Sequence, residues 1–317
     1  MRLAILDDYQ RIAVAMADWD SLRPAIGVHA FHDTLANQDA VVERLRDFEI
    51  VVAMRERTPF PRSLVERLPH LRLLVTTGMR NASIDVKAAV ERGILVTGTT
   101  MLPYPTMELT WGLILTLARN IVCEDAGMRR GGWQTTIGVG LTGKVLGVLG
   151  LGNLGGQVAT IGKAFQMDVI AWSPNLTAER AASLGVHRVD KNELFRRADF
   201  LTIHVVLSPR TRGLVGPDEL AAMKPSSYLI NTSRGPIVDE SALVRALDRR
   251  RIAGAALDVY DHEPLAADHA LRGLGNVVLT PHLGYVTAEN YRAAYGQAVE
   301  NVRSFLAGSP IRIIAPP

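Results

Sequence analysis

Short apolar runs alternate along the chain with stretches whose apolar positions recur at helical spacing. This is the pattern of strands buried on both faces of a parallel sheet and of helices covering them. A first set of strands is predicted at Arg2 to Leu6, Phe48 to Ala53, Arg72 to Thr76 and Ile94 to Thr97. A second set is predicted at Val145 to Leu149, Val169 to Trp172, Phe200 to Val206, Ser227 to Asn231, Ala253 to Leu257 and Val277 to Thr280. The fold class is therefore α/β, with two doubly wound parallel-sheet domains. Between the sets, Thr106 to Ile121 reads as a helix too hydrophobic to face water on any side, expected to bridge the domains and to pack against a second subunit. Ala288 to Leu306 reads as a final amphipathic helix that follows the second set and crosses back to the first domain.

Gly150-Leu151-Gly152-Asn153-Leu154-Gly155 lies between the strand ending at Leu149 and a helix over Gly156 to Phe165, with Val158, Ile161 and Phe165 on its inner face. In that context the glycines suit a dinucleotide: Gly150 makes the tight turn, Gly152 lets the backbone approach a pyrophosphate, and Gly155 allows helix–strand contact. An acidic residue for the ribose is expected at the end of the next strand, about twenty residues on. Ser173-Pro174-Asn175 stands there instead, and Asp168 sits at the wrong end of that strand. No carboxylate opposes a 2′-phosphate, and the nearest Arg, Arg180, lies within the next helix, so the cofactor is left as NAD or NADP.

With 317 residues, 48% of them apolar and 21% charged, the chain can bury a large core and suits two domains. Its net charge of +3 is a mild Arg excess, read as spread along the chain without a block of like charges. That suits small anionic substrates and gives no reason to expect nucleic acid. The single cysteine, Cys123, excludes an intrachain disulfide, and without a Cys/His cluster no metal site is expected. Lying in an apolar helical stretch, Cys123 is expected to be an inert core thiol. A strand begins at the amino terminus and no apolar run is long enough to span a bilayer, so the expectation is no signal peptide, no membrane partner and a cytoplasmic location.

Three later segments carry candidate chemistry: Asn231-Thr232-Ser233-Arg234-Gly235, Leu257-Asp258-Val259-Tyr260-Asp261-His262-Glu263-Pro264 and Thr280-Pro281-His282. A guanidinium, a carboxylate and an imidazole near strand ends supply an anion anchor, a charge partner and a proton carrier. These segments, with the Gly150 loop, resemble the D-isomer-specific 2-hydroxyacid dehydrogenase family in order and spacing over essentially the full length. The resemblance implies a Rossmann-type NAD(P)-binding domain, residues 100–286, inserted into a flavodoxin-like substrate-binding domain, residues 1–99 and 287–317, with the cleft between the lobes. His282 is then the general acid, Glu263 its partner that stabilises the imidazolium, and Arg234 a fork for the substrate carboxylate and carbonyl oxygen.

Softer positions follow from the same resemblance. Asn153 and Leu154 offer amides to the pyrophosphate, and Ser173 with Pro174 meets the adenosine ribose. Val205 and Val206, continuing to Leu207, line the adenine and nicotinamide side. Thr232, Ser233, Asp258 and Gly284 complete the nicotinamide end. His204 stands where the family often has His-x-Pro, with Val206 replacing the proline, and is either part of this site or a hydrogen-bonded strand-end histidine. Thr77-Gly78-Met79-Arg80 resembles the loop whose amides receive the substrate carboxylate. Arg80 and Arg55 are either substrate contacts, holding a second anionic group at Arg80, or solvated surface residues. The implied activity is reduction of a small 2-oxo acid such as glyoxylate or hydroxypyruvate by a homodimer. The alternative is a dinucleotide-sensing protein with little turnover, which an intact Arg, Glu and His set disfavours. Formate oxidation is disfavoured because the family's formate branch lacks Glu at the position of Glu263.

Overall fold

The computed structural model describes residues 1–316. They form two compact units, one of residues 1–102 with residues 286–316 and one of Pro103–Tyr285. In the first, β1 (Arg2–Ile5), β2 (Gly27–Ala30), α1 (Gln38–Leu45), β3 (Ile50–Ala53), α2 (Arg62–Val65), β4 (Leu73–Thr76), α3 (Val86–Glu91) and β5 (Leu95–Gly98) follow in turn. The parallel sheet has the order β2-β1-β3-β4-β5, the flavodoxin-like arrangement. The strands Ile-Val-Val-Ala and Leu-Leu-Val-Thr are buried throughout, as both faces are covered. Strand β2 is absent from the sequence reading: Gly-Val-His-Ala sits at the sheet edge, alternately exposed, so it carries no apolar run.

The second unit contains α4 (Pro105–Arg119), α5 (Ile121–Arg129), β6 (Val145–Leu149), α6 (Asn153–Ala164), β7 (Asp168–Trp172), α7 (Ala178–Ser183), β8 (His187–Arg188) and α8 (Lys191–Arg197). It continues with β9 (Phe200–Ile203), α9 (Pro217–Ala222), β10 (Tyr228–Asn231), α10 (Glu240–Asp248), β11 (Gly254–Leu257) and β12 (Val277–Leu279). Its parallel sheet runs β12-β11-β10-β9-β6-β7-β8, reversing direction between β6 and β9. In open α/β sheets a ligand binds outside the carboxyl ends at such a reversal. The last helix, α11 (Ala288–Leu306), belongs to the first unit and buries Tyr291 and Tyr295 there.

Several expectations are corrected by packing. Helix α6 begins at Asn153, not Gly156; Val158 is buried on its inner face with Gly155, Gly156, Ala159 and Gly162, and Ile161 packs half-buried against the same core as expected, but Phe165 ends up exposed beside Trp111. The apolar helix stops at Asn120, whose φ of 52° is left-handed, and α5 follows. Helix α4 does face water, at Glu108, Gly112 and Arg119, because only one side packs on α6, β10 and β11. Cys123 is exposed on α5 rather than in the core. The strand expected over Phe200 to Val206 ends at Ile203, leaving Val206 exposed, and the two-residue edge strand β8 is polar and carries no apolar signal.

Candidate active site

Strand β6 delivers the chain to Gly150, whose φ is 107° and where a β-carbon would come within 2.7 Å of the His204 and Val205 backbone. Only glycine makes this turn without strain. At Gly155 a β-carbon would overlap the Gly150 carbonyl, so that glycine lets helix and loop close up. Gly152 differs, since a β-carbon there meets nothing within 4 Å. It is also the N-cap of α6, with no side-chain cap and no acidic residue in the first turn. Asn153 and Leu154 thus open a helix whose first turn carries no side-chain cap, next to a glycine with free space at its β-carbon position, the geometry that suits a dinucleotide diphosphate.

Ser173 is beside this loop. Leu149 pairs with Trp172, and the Gly150 N–H donates to the Trp172 carbonyl at 2.9 Å, so Ser173 and Pro174 follow at the carboxyl end of β7. Asp168 lies at the opposite end and pairs with Arg197 at 3.0 Å. The Arg180 guanidinium lies 3.7 Å from where a Gly156 β-carbon would stand. At the end of β9, His204 Nε2 and the Thr202 hydroxyl share a 2.9 Å hydrogen bond, while the buried Nδ1 has no partner among the described residues. Burial holds the imidazole down to about 3, so it is neutral at physiological pH. Both readings of His204 therefore keep support: it is a hydrogen-bonded strand-end residue, and it borders the glycine turn.

The late motifs converge at the carboxyl ends of β10, β11 and β12. Thr232 is buried and shares a 2.8 Å hydrogen bond with Thr110 of α4. The Ser233 hydroxyl donates to the Val205 carbonyl at 2.7 Å, tying this loop to the one after β9. Arg234 is half-buried, with Nη1 donating to the Ser233 carbonyl at 2.8 Å. Asp258 is 1% exposed. Its carboxylate accepts the Thr280 hydroxyl at 2.6 Å and the Leu283 and Gly284 amides at 2.7 and 2.8 Å. Burial nonetheless leaves its carboxyl above the usual range. Asp258 is thus fully engaged in holding the turn that carries His282, and Thr106 braces the same turn by donating to the Gly284 carbonyl at 2.9 Å.

His282 has a left-handed backbone, φ 57°, which for a non-glycine residue persists only where surroundings impose it. Glu263 Oε2 lies 2.6 Å from His282 Nδ1, and Glu263 Oε1 accepts the Tyr260 amide at 3.0 Å. Tyr260 is buried and donates from its hydroxyl to the Leu257 and Thr280 carbonyls at 3.0 and 2.9 Å. One tyrosine therefore locks both strand ends that bear the Glu–His pair. Sequence reasoning assigned no role to Tyr260, Thr106 or Thr110. Tyr260 lies within the Leu257 to Pro264 segment, whereas Thr106 and Thr110 sit on a helix whose sequence signal is its apolar residues.

In the first unit, the Thr77 amide donates to the Ala53 carbonyl at 3.1 Å and the Gly78 amide to the Thr99 hydroxyl at 3.1 Å. Those two N–H groups are spent on the fold, a correction to the expectation that the whole turn offers its amides. Met79 and Arg80 are exposed. Arg55 is half-buried with φ 52°. Its amide donates to the Thr77 hydroxyl at 2.9 Å, and its guanidinium, packed on Gly78, donates to the Thr77 carbonyl at 3.2 Å.

Residues 111–284 match the family model described as D-isomer specific 2-hydroxyacid dehydrogenase, NAD binding domain. The chain is 40% identical over 275 residues to D-3-phosphoglycerate dehydrogenase of Methanocaldococcus jannaschii, a match covering 86% of this chain but 52% of that protein. It is thus similar to about half the length of that relative. It is 41% identical over 255 residues to glyoxylate reductase of Aeropyrum pernix, covering 77% and 76% of the two chains. The crystal structure of phosphoglycerate oxidoreductase from Vibrio cholerae o395 superposes with a TM-score of 0.92 at 36% identity, over 97% of this chain and 99% of that one. On fold, ordered motifs and these matches, the chain belongs to the D-isomer specific 2-hydroxyacid dehydrogenase family.

Proposed function

We propose that the chain is an NAD(P)-dependent oxidoreductase that interconverts a 2-oxo acid and a D-2-hydroxy acid, with His282 as the general acid and base. The observation that carries this is the 2.6 Å pair between Glu263 Oε2 and His282 Nδ1. With Nδ1 committed to the carboxylate, the exchangeable proton is presented on Nε2, and Glu263 both orients the ring and stabilises the imidazolium. A pure sensor needs no such proton carrier. Arg234 forks onto the carboxylate and carbonyl oxygen of the acid, stabilising the charge that develops on that oxygen.

The cofactor residues are Gly150, Gly152, Asn153, Leu154 and Gly155 for the diphosphate, and Ser173 with Pro174 for the adenosine ribose. His204, Val205, Val206, Thr232, Ser233, Asp258 and Gly284 border the remainder, Asp258 acting through the turn it holds. When bound, the reduced nicotinamide supplies the hydride. The absence of a carboxylate at Ser173 and the proximity of Arg180 support acceptance of NADPH beside NADH. In the first unit, Arg55, Thr77, Gly78, Met79 and Arg80 form the substrate turn, with the Met79 and Arg80 amides as the donors left for a carboxylate. The compartment proposed is the cytoplasm; among the described residues no helix is long and apolar enough to cross a membrane.

A homodimer is proposed because Ile121, Val122 and Met128 on α5 and Trp133 and Ile137 beyond it are exposed, the last two at 73% and 96%. A run of apolar side chains of this kind is covered by another copy in symmetric oligomers. The activity is tested with glyoxylate, hydroxypyruvate and the oxo counterpart of D-3-phosphoglycerate, each with NADH and NADPH, following loss of reduced-nicotinamide absorbance. Turnover of at least one acid is expected. Cofactor binding without turnover across a wider panel of 2-oxo acids would favour the sensor.

A further inference from the structure

On the second unit, a pocket of about 360 Å³ is lined by Pro225, Arg245, Ala246, Arg249, Arg250 and Arg251. It lies at the C-terminus of α10, which runs back against the strands, so it opens at the amino edge of the sheet, opposite Gly150. Among the described residues, none of these four arginines has a carboxylate within ion-pair distance. Elsewhere on the surface Arg44, Arg67 and Arg129 hold carboxylates at 2.8, 2.7 and 2.9 Å. Residues 245–251 contain four arginines and one acid, Asp248, a local excess of three that equals the formal net charge of the whole chain, +3. The expectation of a basic excess without a block of like charges is corrected here: Arg249, Arg250 and Arg251 are consecutive and, with Arg245, line one pocket.

Two features argue against a merely solvated helix end. The negative end of a helix dipole, roughly half a charge, offsets only a fraction of four guanidinium groups. The helix also closes in a Schellman motif, Arg251 N–H to Ala246 carbonyl at 2.7 Å and Arg250 N–H to Leu247 carbonyl at 3.1 Å. This places Arg250 at φ 52°, in the position glycine ordinarily takes. The chain keeps a strained arginine where glycine would relax the backbone. Arg251 is fixed as well, donating to the Met223 carbonyl at 2.9 Å and to the Ala221 carbonyl.

We propose that this pocket is a binding site for a compact diphosphate-bearing anion, separate from the dinucleotide loop. Guanidinium forks match phosphate oxygens bidentately, and the pocket's volume suits a small ligand rather than a polymer. The test is calorimetric titration with inorganic pyrophosphate and with ADP at physiological ionic strength, in saturating NADH so that the α6 site is filled. Binding of pyrophosphate is expected, weakened at least tenfold in Arg249→Ala/Arg250→Gly. Because glycine relieves the left-handed backbone, the single variant Arg250→Gly is expected to keep or raise the melting temperature while losing affinity. Tighter ADP binding lost in the same variants would identify the ligand as a nucleotide, and equal binding a free diphosphate. The proposal is overturned if wild type binds neither probe, if the variants bind as wild type does, or if a single-stranded oligonucleotide binds more tightly than both at the same arginines.

Discussion

Replacing Gly152 with Ala separates folding from cofactor binding. The added β-carbon meets no atom within 4 Å, and the residue's φ of −76° and ψ of −155° are extended values that alanine adopts. The folding cost is therefore confined to the N-cap preference of glycine over alanine, about 1 kcal/mol or less. In the proposed complex the same β-carbon points where the diphosphate approaches the first turn of α6. Overpacking by one methyl-sized group costs about 1–3 kcal/mol, which corresponds to roughly 5- to 150-fold in affinity. Gly155→Ala is the contrast, because its β-carbon overlaps the Gly150 carbonyl and the backbone must move. Fluorescence titration with NADH and thermal unfolding of both variants would decide the matter. Expected is a Gly152→Ala protein that melts close to wild type yet binds NADH at least fivefold more weakly, and a Gly155→Ala protein that loses stability outright. NADH binding by Gly152→Ala equal to wild type would refute the placement of the diphosphate.

Three further outcomes follow from the geometry. His282→Ala is expected to lower turnover of a 2-oxo acid about a hundredfold or more with little change in NADH affinity; steady-state turnover near that of wild type removes His282 from the mechanism. Ser173→Asp puts a carboxylate beside Gly150 and is expected to reduce efficiency with NADPH relative to NADH about tenfold, roughly 1.4 kcal/mol. An unchanged ratio of the two efficiencies would show that Ser173 does not face the ribose. His204 is held neutral, from an ordinary 6.5 down to about 3, so the unfolded chain takes up a proton that the folded chain refuses as pH drops. Its contribution is full above pH 6.5 and is lost toward pH 3, with a slope of up to about 1.4 kcal/mol per pH unit. Urea unfolding through this window should show a shallower acid decline for His204→Gln, and parallel declines would mean that His204 is not buried as described.

The sequence by itself determined the two sheets and the ordered motifs, because strands buried on both faces must be runs such as Ile50-Val51-Val52-Ala53, and a glycine turn between a strand and a helix announces itself locally. It also carried Arg234, Glu263 and His282 as candidates. Edge strands β2 and β8 were silent, since a strand paired on one side needs no apolar run. Only the tertiary structure decided that Asp258 and Tyr260 spend their polar atoms on the turn bearing His282. Only it could decide that the Thr77 and Gly78 amides are already taken and that Cys123 is exposed, whereas the block Arg249-Arg250-Arg251 stands in the sequence itself and the structure adds the pocket it lines. The physical reason is common to all of these. Periodicity reports which side of an element is apolar, whereas hydrogen-bond partners such as Asp258 and Gly284 are far apart in sequence, and packing alone brings those together.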